Sequence, residues 1–266
     1  MTDTLAVPDL HRLAIGIEYD GTAYNGWQIQ PHAPSIQESL NRAISVVADE
    51  RVECVGAGRT DTGVHATAQV AHFDSGARRS ARSWLLGINS NLPPDINSNW
   101  VAEVEPGFHA RFSARSRSYR YVIINRPVRA ALQRHRAWLV RKLLDEKLMD
   151  RAAQVLLGEH DFSSFRAASC QAHSPVRTIT RLNVTRAGEY LYIDCSANAF
   201  LHHMVRNLAG SLARVGAGDE PMEWIREILE ARDRKVSGIT APAAGLTLTA
   251  VGYADFALPD SGRDNL

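Results

Sequence analysis

Val52-Glu53-Cys54-Val55-Gly56-Ala57-Gly58-Arg59-Thr60-Asp61-Thr62-Gly63-Val64-His65-Ala66-Thr67-Ala68-Gln69-Val70-Ala71-His72-Phe73 is the stretch on which the reading of this chain turns. Its two ends, Val52 to Val55 and Gln69 to Phe73, are short apolar runs that predict strands. Between them the hydrophobic period breaks, and one carboxylate, Asp61, stands among glycines, an arginine and a histidine. Glycine lets the backbone turn tightly and come close to a ligand. Arg59 is of the type that holds a phosphate or neutralises a neighbouring carboxylate. A carboxylate presented this way is placed for chemistry rather than for packing.

Working outward, Leu13, Ile15, Ile17 and Tyr19 alternate on one face and predict a strand from Arg12 to Tyr19. Ser35 followed by Glu38 is a capping box, and Ile36, Leu40, Ala43, Ile44 and Val47 form the apolar stripe of a helix running to about Glu50. A helix near Ala81 to Ile88 and a strand near Trp100 to Val104 complete the order β-α-β-β-α-β. The second half repeats it: strand Tyr119 to Ile124, helix Asp145 to Leu157 stopped by Gly158, and strands Ile179 to Thr185 and Tyr190 to Cys195. A helix from Phe200 to Val215, an extra helix behind Pro221 and a last strand from Leu246 to Val251 follow. The predicted fold class is α+β. Two ferredoxin-like units join into a mixed, mostly antiparallel sheet, with helices on one face and a central cleft. Residues 11–107 form the half that carries the Asp61 loop and residues 108–256 the half that completes the cleft, with 1–10 and 257–266 as tails.

The chain has 266 residues, 45% hydrophobic, with a formal net charge of +1, so any affinity for a polyanion must come from local clustering. From Phe108 through Leu144 there is no acid at all. That stretch carries Arg111, Arg115, Arg117, Arg120, Arg126, Arg129, Arg134, Arg136, Arg141 and Lys142. Interleaved with Phe108, His109, Phe112, Tyr119 and Tyr121, these cations suit a phosphate backbone and stacked bases. The other reading is a solvated face balanced by acids elsewhere in the fold. The first ten residues lack a cationic start and an apolar stretch, which predicts no signal peptide, and no run reaches membrane-span length. The three separated cysteines, Cys54, Cys170 and Cys195, fit reduced thiols in a cytoplasm better than a disulfide framework.

Two chemical alternatives fail on spacing. Asp61-Thr62-Gly63 has the triplet of an aspartic protease, but that mechanism needs a second carboxylate sharing a proton. Asp74 follows too closely and Asp260 lies in a polar tail. For a metal, His202 and His203 are adjacent and cannot share one helical face, so they are read as packing and capping groups. His65 and His72 have no carboxylate or cysteine partner at ligand spacing, and no metal site is predicted.

Gly58, Arg59, Asp61, Gly63, Val64 and His65 match the pattern G-R-T-D-x-G-V-H, and the chain resembles the tRNA pseudouridine synthase A (TruA) family. The resemblance runs from about Leu13 to Tyr253. It includes Glu18-Tyr19-Asp20-Gly21, Gly26-Trp27-Gln28, Phe108-His109-Ala110-Arg111-Phe112, Tyr119-Arg120-Tyr121, Gly158-Glu159-His160-Asp161-Phe162, Ala197-Asn198-Ala199-Phe200 to Arg206-Asn207, and Gly245-Leu246. It implies an isomerase that converts uridine to pseudouridine at positions 38 to 40 of the tRNA anticodon stem-loop, in the cytoplasm, as a homodimer. No ATP, redox or other nucleotide cofactor is implied. By that resemblance Asp61 is the nucleophile, Arg206 its basic partner across the cleft, Tyr119 the tyrosine that stacks on the target base, and Arg59 a holder of the extruded uridine. Leu246 matches an apolar pocket residue. Phe108, His109, Ala110, Arg111 and Phe112, with the loop Ser169-Cys170-Gln171-Ala172-His173, fall where the family contacts tRNA. The sequence leaves open whether attack falls on ribose or on the pyrimidine ring.

Two functions of different class remain. One is the tRNA uridine isomerase; the other is a non-catalytic RNA-binding module of two ferredoxin-like units. Both imply RNA affinity that falls steeply with salt. Only the enzyme accounts for an arginine and an aspartate fixed between glycines.

Overall fold

The structure, a computed structural model, describes residues 10–168, 170–254 and 256–259. In the first half β1 (His11–Tyr19) is followed by α1 (Ile36–Ala48), β2 (Val55–Gly56), β3 (His65–Ser75), α2 (Ala81–Asn91) and β4 (Ile96–Val104). The second contains β5 (Ala114–Asn125), β6 (Trp138–Val140), α3 (Glu146–Ala153), β7 (Gly158–Asp161), β8 (Val176–Ala187), β9 (Tyr190–Ala197), α4 (Met204–Gly216), α5 (Trp224–Ala231) and β10 (Leu246–Tyr253). One sheet takes in every strand in the order β4-β1-β3-β10-β5-β9-β8-β7, with β2 beside β3 and β6 beside β5. Each half therefore has its own antiparallel ladder, β4-β1-β3-β2 and β10-β5-β9-β8, the strand order of a ferredoxin-like unit.

The two ladders become one sheet because β3 shares its outer edge between two partners. At its far end His72 and Ala71 pair with Val55 and Gly56 of β2. At its near end His65 and Ala66 pair in parallel with Thr247 and Leu248 of β10. The chain leaves β2 after two residues to make the loop that holds Asp61. That early departure exposes the backbone groups of His65 and Ala66, and burying them requires a partner. The fusion of the halves and the position of the Asp61 loop thus have one cause.

Local signals decide the helix starts. Ser35 accepts from the Glu38 amide at 3.3 Å, as the capping box predicts, and Ser80 and Asp145 cap α2 and α3 in the same manner. Ile15, Ile17, Ile36, Leu40, Ile44, Phe73, Trp84 and Ile88 have no appreciable exposure and form the core between β1, β3, α1 and α2. No described helix is long and apolar enough to cross a membrane.

Some boundaries differ from the sequence reading. The helix expected from Phe200 starts at Met204, because His203 adopts the left-handed conformation at φ 62°. β6 and β7 were not foreseen: β6 is three residues long, and β7 reads Gly-Glu-His-Asp, a polar string drawn into the sheet by its ladder with β8. Residues 1–9 and 260–266 of the expected tails lie outside the described residues. Leu258, also assigned to a tail, packs against the core.

Candidate active site

Asp61 lies in the loop between β2 and β3, and that loop is gripped from beneath. Gln69, fully buried on β3, donates to the Gly58 carbonyl at 2.8 Å and reaches the Tyr19 hydroxyl at 3.4 Å. That hydroxyl in turn meets Thr60 Oγ1 at 2.9 Å. The Trp27 amide donates to the Thr60 carbonyl at 3.0 Å, and the Val64 amide closes a turn onto the Asp61 carbonyl at 3.1 Å. Gly26 makes this approach possible. Its φ is +88°, and a Cβ there would stand 2.5 Å from the Thr60 carbonyl oxygen. Thr60 is buried as a result, while the Asp61 side chain emerges at 21% exposure. Burial pushes the Tyr19 hydroxyl up to about 12, so it remains a protonated partner of Thr60 through the neutral range.

The second half supplies the partners of the carboxylate. Arg206, in the first turn of α4, donates from Nη1 to Asp61 Oδ2 at 3.2 Å, and from Nε to the Ala241 carbonyl at 2.8 Å. Ala241 belongs to a segment drawn tightly over α4. Arg234 bonds both Asn207 and Thr240, and a Cβ at Gly210 would collide with the Ile239 carbonyl. His202 and His203, read from the sequence as packing and capping groups that cannot share one helical face, both reach the carboxylate. His202 Nε2 lies 3.4 Å from Asp61 Oδ1 and His203 Nε2 lies 3.5 Å from Asp61 Oδ2. The excluding argument assumed a helix, but the left-handed backbone at His203 places both rings in the turn ahead of α4. Burial holds His203 below the ordinary imidazole value, the negative charge of Asp61 opposing it.

Tyr119 stands on β5, buried, edge-on to Phe200 at 5.1 Å between ring centres. Burial first, then the proximity of Tyr19 and Asp61, raise its hydroxyl above the ordinary tyrosine value, so it is protonated at neutral pH. Arg117 locks the neighbouring backbone by donating to the carbonyls of Ala57, Arg111, Ala114 and Asn198.

These groups open onto a cleft of about 960 Å³, lined by Arg59, Asp61, Tyr119, Arg111, Phe112, Cys170, Gln171, Ala172, His173 and Leu246 among others. Such a volume admits a flipped nucleotide. Three expected contact residues do not line it. Phe108 and Ala110 are buried, Phe108 against Tyr253 and Phe256. The Ala110 amide donates to His72, and its carbonyl accepts from Tyr253. His109 sits behind Phe112, stacked on it at 4.2 Å. The segment therefore acts as a bracket that presents Arg111 and Phe112, the latter 74% exposed. Ser169 lies outside the described residues.

The basic stripe is also more structural than its composition implies. Arg120 pairs with Asp194, Arg126 with Glu189, Arg136 with Asp20 and Lys142 with Asp219. Arg111, Arg115, Arg129 and Arg141 make no ion pair with a carboxylate among the described residues. His65 too has a carboxylate neighbour after all, Asp20 at 3.1 Å, brought from another strand end.

Sequence reasoning read His202 and His203 as packing and capping groups, counted Arg117 only among the cations of the basic stripe, and gave Gln69 no role beyond its strand. Gln69 alone carried a signal, a polar residue heading an otherwise apolar strand.

Comparison with known proteins accords with this geometry. The sequence model of the tRNA pseudouridine synthase family matches residues 15–113 and 152–254. The tRNA pseudouridine synthase A of Colwellia psychrerythraea is 53% identical over 251 residues, covering 94% of this chain and 97% of that protein. Those of Aeromonas hydrophila and Vibrio campbellii are each 54% identical over 249 residues, covering 93% of this chain and 93% and 94% of the relatives. Since the match takes in both halves, and with them both the Asp61 loop and the helix that carries Arg206, the chain belongs to the tRNA pseudouridine synthase family.

Proposed function

We propose that this chain, an enzyme that makes pseudouridine in tRNA, acts on uridines at positions 38 to 40 of the anticodon stem-loop with Asp61 as its nucleophile. The observation that carries the reading is the Asp61 carboxylate itself, fixed by a buried network from one half and met by Arg206 from the other, at the base of a cleft wide enough for one extruded nucleotide.

An ionised carboxylate is needed for attack, and the guanidinium of Arg206 stands 3.2 Å from it. Attack on ribose or on the pyrimidine ring has the same balance. Asp61 bonds to the nucleotide, the bond from nitrogen to C1′ breaks, and the base turns and rejoins through carbon. A proton then leaves that carbon, one returns to nitrogen, and the carboxylate is released. No atom is gained or lost, so the chemistry calls for no cofactor. The ring of Tyr119 offers its face to the extruded base, Leu246 closes the apolar side of the pocket, and the exposed Arg59 holds the opened stem. Arg111, Phe112, Cys170, Gln171, Ala172 and His173 contact the surrounding RNA, supported by His109 and by the buried bracket of Phe108 and Ala110.

The two halves, 11–107 and 108–256, each contribute one side of this site. Two copies of the chain pair to grip one tRNA, in a cytoplasm where Cys54, Cys170 and Cys195 stay free thiols.

The test is a pseudouridine assay on an unmodified tRNA transcript bearing uridines at 38 to 40. Product from the native chain and none from Asp61→Asn, with RNA binding kept, supports the reading. Product at other positions overturns the site assignment. No product from either chain, with salt-sensitive binding intact, favours the RNA-binding module.

A further inference from the structure

Asp61, His202 and His203 bring one carboxylate and two imidazoles together with their donor atoms all within 4.8 Å of one another. His202 Nε2 lies 3.4 Å from Oδ1 and His203 Nε2 lies 3.5 Å from Oδ2, both longer than the roughly 2.7–3.2 Å of a hydrogen bond. Each separation taken singly is close to the roughly 3.3–3.4 Å between two ligands of one tetrahedral ion with bonds of about 2.0–2.1 Å, and the set as a whole stays within 4.8 Å. We propose that Asp61, His202 and His203 form a binding site for a divalent transition-metal cation of the zinc type, and that an ion held there stops the enzyme.

The site is built rather than accidental. Adjacent residues on a helix point about 100° apart, but the left-handed backbone of His203 takes the pair out of the helix. Their ring centres come within 4.0 Å, and both Nε2 atoms face one carboxylate. The donor set selects the ion: imidazole suits zinc, copper and nickel, whereas magnesium and calcium require oxygen ligands. The cleft leaves the fourth coordination position open to water. Arg206 limits the affinity, because its Nη1 already bonds Oδ2 and its charge repels a cation, while its Nε is anchored on Ala241. The site therefore suits an exchangeable ion and not a permanently held one. Inhibition follows because a carboxylate committed to a metal lacks the free electron pair that attack requires; this clause rests on Asp61 being the nucleophile.

The experiment titrates the full chain, stripped with chelator, with Zn2+ by calorimetry and with Co2+ by visible absorption. Native protein, His202→Gln, His203→Gln and a control, His160→Gln, are compared, with circular dichroism verifying that each is folded. Saturable binding of one ion, a four-coordinate Co2+ spectrum, and affinity at least about tenfold weaker in both cleft variants but not in the control are expected, since even an outer-shell contact to a metal carries a loss of that size. Pseudouridine formation by the native chain should fall with Zn2+ occupancy, recover on chelation and ignore Mg2+. Absence of saturable Zn2+ binding, or equal affinity in the native chain and a folded cleft variant, overturns the site; the nucleophile assignment still stands if Asp61→Asn is inactive. Zn2+ bound at these residues with full activity retained overturns the inhibition and counts against Asp61 as nucleophile.

Discussion

Arg206 donates to Asp61 across 3.2 Å although the two residues are 145 positions apart in the chain. One guanidinium edge is spent on the Ala241 carbonyl and the other on the carboxylate, so the arginine works as a spacer of fixed length. Arg206→Lys keeps the charge but cannot make both contacts, lacking the planar fork. The expected result is a fall in kcat of about ten- to a hundredfold, or about 1.4–2.7 kcal/mol of barrier, with little change in tRNA affinity. Single-turnover kinetics and a filter-binding assay separate the two quantities. Unchanged kcat would show that the charge alone suffices.

Gly26 is the contact point between the 24–27 turn and the Asp61 loop. Gly26→Ala meets both a φ of +88° and a carbonyl oxygen 2.5 Å from the new methyl. The backbone term alone costs about 1–2 kcal/mol. The clash must then be relieved by moving Thr60. Activity should consequently fall further than the thermal midpoint implies. A variant equal to the native chain in activity at low temperature would show that the loop tolerates the shift.

Gln69→Leu keeps the volume and loses the amide that ties Gly58 to Tyr19. A buried carbonyl left without its donor costs about 1–3 kcal/mol. Urea unfolding should show that loss. Pseudouridine formation should decline as well, because Asp61 stands three residues beyond the released carbonyl. Loss of stability with full activity would confine Gln69 to a structural role.

His72 gives the fold an acid limit. Burial, then His109 and Arg12, lower it from its ordinary 6.5 to about 4, with Asp74 and the Val55 carbonyl opposing. Between those two values the unfolded chain takes up a proton that the folded chain refuses, so stability declines as pH drops from about 6.5 toward 4. His72→Gln retains an acceptor for the Ala110 amide and should flatten that slope. Urea midpoints measured across the interval decide it, and an unchanged slope would assign the acid limit to other groups.

Much of this molecule is legible along the chain, because the relevant forces act over short separations. The alternation of Leu13, Ile15 and Ile17, the Ser35 cap and the glycines around Asp61 each specify backbone within a few residues. The doubled β-α-β-β-α-β order follows from them, and so does the singling out of Asp61 as the candidate for chemistry. Tertiary structure alone decided which groups meet that carboxylate. The His202 and His203 rings reach it only because one residue turns left-handed before α4, and local sequence gives no sign of that turn. Four of the ten cations of the basic stripe are consumed in ion pairs with Asp194, Glu189, Asp20 and Asp219, acids scattered along the chain that the fold gathers. The seam at which β3 exchanges β2 for β10 depends on backbone hydrogen bonds that any side chains permit. Sequence determined most of the elements and singled out Asp61, since those rest on local periodicity and turn chemistry. The surroundings of that carboxylate were set by long-range packing, where position in space and not spacing in the chain determines the electrostatics.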